Sequence, residues 1–238
     1  MKKTKYKTAS EPCTIPANKL SMSKRRLVQG FGINDSPYLT DWIDDDGNGW
    51  RCPAQRAWKN MIKRCRCSKH QEKHPTYIGC SVSEEWRHFT AFRSWFSLNW
   101  VQGWELDKDI LKPGNKVYSP STCAYVPSEI NVLLTDSAAS RGDYPQGVWL
   151  RKDTRKFRAS VSSNGKSKPL GCFTTPEEAE ICYLRAKADE IEKAVKRHPR
   201  LDARVVNSLH GTALDLRQQA LIKQLAQLPK SLFSLSLT

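Results

Sequence analysis

Residues 106–131 read LDKDILKPGNKVYSPSTCAYVPSEIN. Asp107 and Asp109 bracket Lys108, Asn115 closes a Lys-Pro-Gly-Asn turn, and Asn131 follows a Ser-Glu pair. Carboxylates with amide side chains close by suit a divalent cation such as Mg²⁺. A bound cation stabilises the charge that develops when a phosphodiester is hydrolysed. Asp107, Asp109 and Asn131 are the candidate metal ligands, with Asn115 as the middle amide. Hydrolysis also needs a base, yet no histidine occurs between His88 and His198. Lys108 lies between the two acids, and a lysine acts as a base only when burial or another cation lowers its pKa. Asp109 is the substitute. A purely conformational role is equally open: Asp107 and Asp109 in turn and cap hydrogen bonds, Asn115 shaping its turn, Asn131 capping a chain end.

The elements that must position these groups can be read from spacing. Leu106 and Ile110 flank the acids at strand-like intervals, KPGN is a turn, CAYVP is a second strand, and Ser128 caps a helix through SEINVLL. The order is strand, turn, strand, helix. Upstream, Ala54, Ala57, Trp58, Met61, Ile62 and Cys65 recur at helical intervals. Ser83 opens a second helix over 83–98, whose Trp86, Phe89, Phe92, Trp95 and Phe96 form an aromatic stripe suited to a core. DDDGNGWRCPAQ (44–55) imitates the start of a calcium loop. Position twelve is Gln55 rather than a bidentate Glu, so a polar turn is expected.

The chain has 238 residues, with 39 Lys and Arg against 24 Asp and Glu, a formal charge of +15. No fold needs that excess; it predicts a polyanionic partner, double-stranded DNA first. No apolar run approaches the roughly 20 residues of a membrane span. The lysines near the start lack the apolar core of a secretion signal, so an intracellular, cytoplasmic protein with reduced cysteines is expected. Residues 1–26 hold eight Lys and Arg and one Glu and are expected to be a flexible basic tail that adds phosphate contact.

Residues 147–195 carry a second unit. VWLRK, KFRASVSS and KPLGCF read as three strands, with Asn164-Gly165 as a hairpin turn. Thr175-Pro176-Glu177-Glu178 is a helix start with N-cap, early proline and capping-box acid. Alternation puts Val148, Leu150, Phe157, Ala159, Val161 and Leu170 on an apolar side. Ala179, Cys182, Tyr183 and Ala186 of the helix are expected to cover it. Trp149, Arg151, Lys156, Arg158 and Lys168 are expected on the other, exposed side. Between 147 and 173 there are seven Lys and Arg and one Asp, and such a sheet can lie in a major groove.

GVW…KFRASV…GKSKPLGCFTTPEEAEICYLRA resembles the plant ethylene-response-factor (Apetala-two) DNA-binding domain, which also occurs in bacteriophage and mobile-element nucleases. Gly147-Val148, Phe157-Arg158-Ala159, Leu170-Gly171-Cys172-Phe173 and the Thr175, Glu177, Glu178, Ala179 helix start carry the likeness over about fifty residues. Ser167-Lys168-Pro169 replaces an Arg/Trp-rich third strand, so base specificity is not carried over. The region 50–145 is similar to phage proteins of the HNH or homing-endonuclease group, through Trp58, Met61, Arg64 and Cys65. Tyr77, Gly79, Cys80, Val82, Ser83, Glu85, Trp86 and Phe89 continue it, followed by the LDKDIL stretch. That resemblance implies a ββα-metal unit, Mg²⁺-assisted DNA cleavage and an Apetala-two-type domain after the nuclease-like part. The alternative it leaves is a DNA-binding regulator or accessory protein with a degenerate nuclease centre.

Cys65, Cys67, His70, His74 and Cys80 lie within sixteen residues and admit a structural zinc, although paired C-x2-C knuckles are absent. Burial of Cys65 and solvation of the histidines explain them equally well. His70, His74 or His88 is also available as the missing base. The expected fold class is α+β. The expected organisation is a basic tail (1–26), an HNH-like ββα domain with flanking helices (27–138) and an Apetala-two-like three-stranded antiparallel sheet plus helix (139–198). A helical tail (199–238) completes it.

Overall fold

The computed structural model describes residues 6–135 and 143–229. The first five residues of the expected basic tail and the end of the expected helical tail, 230–238, therefore lie outside the described residues. The chain divides into two compact units, Met1–Tyr125 and Val126–Thr238, and both are mixed α and β.

In the first unit, chain order is β1 (Lys7–Thr8), α1 (Lys19–Ser23), β2 (Asp41–Ile43), β3 (Gly49–Arg51), α2 (Pro53–Arg66) and α3 (Ser68–Lys73). Then come β4 (Ser81–Val82), α4 (Phe89–Asn99), β5 (Glu105–Asp107), β6 (Val117–Tyr118) and β7 (Ala124–Val126). β2 and β3 form a hairpin and β1 joins β3 in parallel. The hairpin turn is the calcium-like stretch. Asp44 accepts the amide of Asn48 at 2.7 Å and the indole N–H of Trp50 at 2.7 Å, so its carboxylate shapes a turn, as expected. The core is aromatic: Trp58, Met61 and Ile62 of α2 meet Trp86 and α4's Phe89, Phe92 and Phe96, all buried. The indole N–H of Trp58 donates to the carbonyl of Trp86 at 2.7 Å, which ties α2 to the turn before α4. The expected helix over 83–98 is broken: Glu85–Arg87 is a 3-10 turn, and α4 starts at Phe89 behind His88. Asp35 fixes that start by accepting the Thr90 amide at 2.9 Å.

The expected flexible tail is corrected over residues 6–26. β1 pairs with β3, Cys13 is buried in the core, and the Arg25 guanidinium donates to the carbonyls of Asn34, Ser36 and Tyr38. Three partly buried carbonyls need a donor more than a distant phosphate does, and the arginine stem reaches them.

The second unit contains α5 (Ser128–Leu134), β8 (Val148–Leu150), β9 (Phe157–Ser163), β10 (Lys166–Phe173), α6 (Pro176–Arg197) and α7 (Ala203–Ala226). The sheet is antiparallel in the order β10-β9-β8. Asn164 (φ 50°) and Gly165 (φ 72°) make the β9–β10 turn. At α6 the capping box is complete: the Glu178 amide donates to the Thr175 hydroxyl at 3.2 Å, and Glu178's carboxylate accepts the Thr175 amide at 3.3 Å. Val148, Ala159 and Val161 face α6 and bury against Ala179, Tyr183 and Leu184. α7 fills most of the expected helical tail and packs along α6. Arg217 bridges Asp189 at 2.9 Å and Glu192 at 2.6 Å, Lys223 pairs with Glu180 at 2.9 Å, and Ala220 enters the core. α5 belongs to this unit because Arg197 and His198, at the end of α6, hold Glu129. The division thus falls before the helix of the expected ββα unit. Among the described residues no helix is long and apolar enough to cross a membrane.

Gly147 has φ +74°, and a Cβ there would stand 2.3 Å from the Tyr183 ring and 2.8 Å from the Ser160 carbonyl. Only glycine lets β8 enter the sheet this close to α6. Gly147→Ala is expected to destabilise the second unit by about 1–3 kcal/mol through left-handed strain and overpacking, read as a lowered denaturant midpoint. An unchanged midpoint would show that β8 does not depend on this contact.

Candidate functional site

Two groups of predicted residues have a describable geometry. The first is the acidic turn. Asp107 ends β5, and its Oδ1 accepts the amides of Asp109 at 2.8 Å and Ile110 at 2.7 Å. Lys108 is buried and donates from Nζ to Asp109 Oδ2 at 3.0 Å. Nδ2 of Asn115 donates to the carbonyls of Lys108 and Val117, each at 2.7 Å, and its Oδ1 accepts the Val117 amide at 3.2 Å. Burial, then the charge of Asp109, pushes the Asp107 carboxyl above the usual range, against the two amides that pull it down. Burial alone would lower Lys108, but its hydrogen bond to Asp109 carries it upward. Lys108 is therefore a held cation, which corrects its candidacy as a base. Asn115 has the conformational role.

The remaining candidates are placed as follows. Asn131 lies on α5 in the second unit, where its carbonyl accepts the Thr135 hydroxyl at 2.8 Å. His88 Nδ1 is 3.0 Å from Asp35 Oδ2, at the start of α4. The His70 and His74 rings lie tilted against one another with centres 4.6 Å apart, and His70 stacks on Tyr77. Burial pushes the half-buried Cys65 thiol up to about 12. Cys67 caps α2, and Cys80 is buried with its thiol 3.9 Å from the Thr76 carbonyl. Among the described residues, no group of three or more His, Cys, Asp or Glu side chains gathers around a point that would hold a metal ion.

The second group is the open side of the three-stranded sheet. Trp149, Arg158 and Cys172 form one row across β8, β9 and β10, since Trp149 pairs with Arg158 and Arg158 with Cys172. The Arg158 guanidinium sits 5.8 Å from the centre of the Trp149 ring, and that indole is 40% exposed. This is a cation–π contact left at the surface. Arg151 continues the Trp149 side of β8. Its amide donates to the Lys156 carbonyl at 2.9 Å, and Asp153 holds its guanidinium at Nε, 3.0 Å away. Lys156 is exposed one position before the paired strand. Trp149, Arg151, Lys156 and Arg158 thus share the face opposite α6.

Lys168 does not. It pairs with Val161, whose side chain faces α6, and its Nζ lies 3.9 Å from buried Glu190. The register shift between Pro169 and Gly171 falls at Leu170, so Lys168 and Leu170 both sit on the helix side. Placing Lys168 outward while Leu170 pointed in broke the two-residue period of a strand. The outward places on this half of the sheet go to Ser160 and Ser162, opposite Ala159 and Val161 as alternation predicts, and to Ser167 and Cys172, which the sequence reading did not single out. Glu190 also accepts the Ser163 hydroxyl at 2.7 Å.

Comparisons with known proteins return nothing: no family model, no curated protein and no solved structure matches this chain.

Asp107→Asn keeps an oxygen for the two turn amides and removes the repulsion with Asp109, whereas Asp107→Ala orphans both amides. At pH 7 the Ala variant is expected to lose about 1–3 kcal/mol and the Asn variant to equal or exceed the wild type. Because the folded carboxyl sits above its unfolded value, the contribution of Asp107 is full below the unfolded pKa and is lost as pH rises through the folded one. The advantage of Asn over Asp should therefore grow from acid to neutral pH in denaturant titrations. Equal loss in both variants would show that the charge itself holds the turn.

Proposed function

We propose that this protein binds duplex DNA through the open face of the β8–β9–β10 sheet. The observation that carries the reading is the exposed row in which Arg158 lies over Trp149, flanked by Arg151 and Lys156, on a sheet whose other side is closed by α6. A rigid three-stranded surface fits a major groove, and guanidinium groups suit both phosphates and guanine edges. The formal charge of +15 supplies the long-range attraction. The resemblance of this stretch to Apetala-two domains points the same way, and the accompanying phage resemblance supports a location in the host cytoplasm.

Arg158→Ala is expected to weaken duplex binding by about 1–3 kcal/mol if the side chain reads a base, or to reduce the salt slope by about 1 if it meets a phosphate. Lys168→Ala is expected to leave both unchanged. Fluorescence anisotropy with a labelled duplex across a potassium chloride series measures them. Wild-type affinity and slope in the Arg158 variant would reject the sheet face.

A second reading, metal-dependent DNA endonuclease, rests on one observation: Asp107 and Asp109 meet in one turn, where burial and the charge of Asp109 raise the Asp107 carboxyl. Such a pair has the donor chemistry of a divalent ion, with Lys108 as the cation already competing for Asp109. Asp107 and Asp109 would hold Mg²⁺, which would neutralise charge on the scissile phosphate. Nicking of supercoiled plasmid with Mg²⁺, absent in EDTA and lost in Asp107→Asn/Asp109→Asn, would support cleavage. Tight duplex binding without nicking in any metal leaves the non-catalytic regulator or accessory role.

A further inference from the structure

The outward side of α2 is a second cationic surface, on the other unit. α2 carries Arg56, Lys59, Lys63, Arg64 and Arg66 and no Asp or Glu. Its apolar side is spent in the core through Trp58, Met61 and Ile62. Arg56, Asn60, Lys63 and Arg66 are the exposed positions and recur at three- and four-residue intervals, so they line one face. α3 extends the run with exposed Lys69 and Lys73 against a single acid, Glu72. Arg87 joins from the turn before α4: the Arg66 and Arg87 guanidinium groups lie 4.9 and 5.6 Å from the centre of the same Phe31 ring.

A solvated helix face ordinarily interleaves both signs, because like charges at these intervals repel by a few tenths of a kcal/mol per pair. The helix dipole accounts for cations in the last turn, Lys63, Arg64 and Arg66. It disfavours Arg56 near the N-terminal end and Lys69 in the first turn of α3, while Lys73 stands in the last turn of α3. The field is felt locally: after burial, the charges of His74, Lys63 and Arg64 hold His70 below its ordinary value. Fixed cations in a row along one helix face match a row of phosphates. A membrane-surface helix would also present large apolar side chains outward, and none of the exposed large apolar residues lies on α2 or α3.

We propose that the Arg56–Lys63–Arg66 face of α2, continued by α3 and Arg87, is a second nucleic-acid contact surface that grips the phosphate backbone without reading bases. This rests on the DNA-binding reading, and the two are separable by experiment. Full-length wild type, Lys63→Gln/Arg66→Gln and Arg151→Ala/Arg158→Ala are titrated with a labelled duplex over a potassium chloride series, after thermal melts confirm that each is folded. Lys69→Gln/Lys73→Gln serves as an independent second α2–α3 variant. Neutralising two phosphate contacts is expected to reduce the slope of log affinity against log salt by about 1.8 and to weaken binding at least about fivefold at low salt. The loss should be equal on unrelated sequences, and Lys63→Arg/Arg66→Lys should restore it. Wild-type slope and affinity in both glutamine variants, with binding lost in the sheet variant, would overturn the α2 surface and keep the sheet. Loss in the glutamine variants alone would keep α2 and reject the sheet. No change in any variant would reject DNA binding by either surface. Flotation with phosphatidylglycerol vesicles that exceeds duplex binding and is lost in the glutamine variants would assign the face to a lipid surface and overturn the proposal.

Discussion

A three-stranded sheet has two sides, and one must be dry. Val148, Ala159 and Val161 can leave water only where α6 lies over them, and that single covering decides which side chains remain outside. The helix can lie there because its first turn is fixed by the Thr175–Glu178 box and because Gly147 leaves room for the Tyr183 ring. With α6 in place, Trp149 and Arg158 have no direction but outward. The cationic row is thus a by-product of apolar burial on the opposite side. Changes to the buried side will move the arginines as surely as changes to the arginines themselves.

The second unit was largely legible in the sequence because its signals are local. Period-two alternation, an Asn-Gly turn and a complete helix start each act within a few residues. Lys168 was misplaced against the strand's own period, whereas the outward turn of Cys172 depends on the register shift at Leu170, which is set by how two strands pair rather than by either alone. Residues 6–26 escaped for a similar reason. A lysine-rich stretch looks solvated until a strand forty residues away offers it an edge and buried carbonyls offer Arg25 three acceptors. The aromatic stripe over 86–96 was read correctly as core although the helix breaks after Trp86, since its five large rings carry more apolar area than a surface segment keeps exposed.

The acidic turn shows how a motif and a scaffold can use the same atoms. One oxygen of Asp107 holds two amides, Asn115 closes the loop at both ends, and Lys108 is pinned beneath Asp109. Sequence spacing sees only that acids and amides converge. It cannot say whether they converge on each other's backbone or on something else. The helix that would complete a ββα unit is instead tied through Glu129 to Arg197 and His198, a pairing across nearly seventy residues that no local pattern announces.

The guanidinium of Arg25 has a consequence for how strongly basic chains are understood. Its donors are already committed inside the fold, as are those of Arg217 between Asp189 and Glu192 and of Arg197 on Glu129. Such residues count toward the formal charge yet have fewer hydrogen bonds to offer a visitor. What a polyanion meets is the unspent remainder, distributed unevenly, and an inventory of cations by residue type overstates the grip the surface can exert.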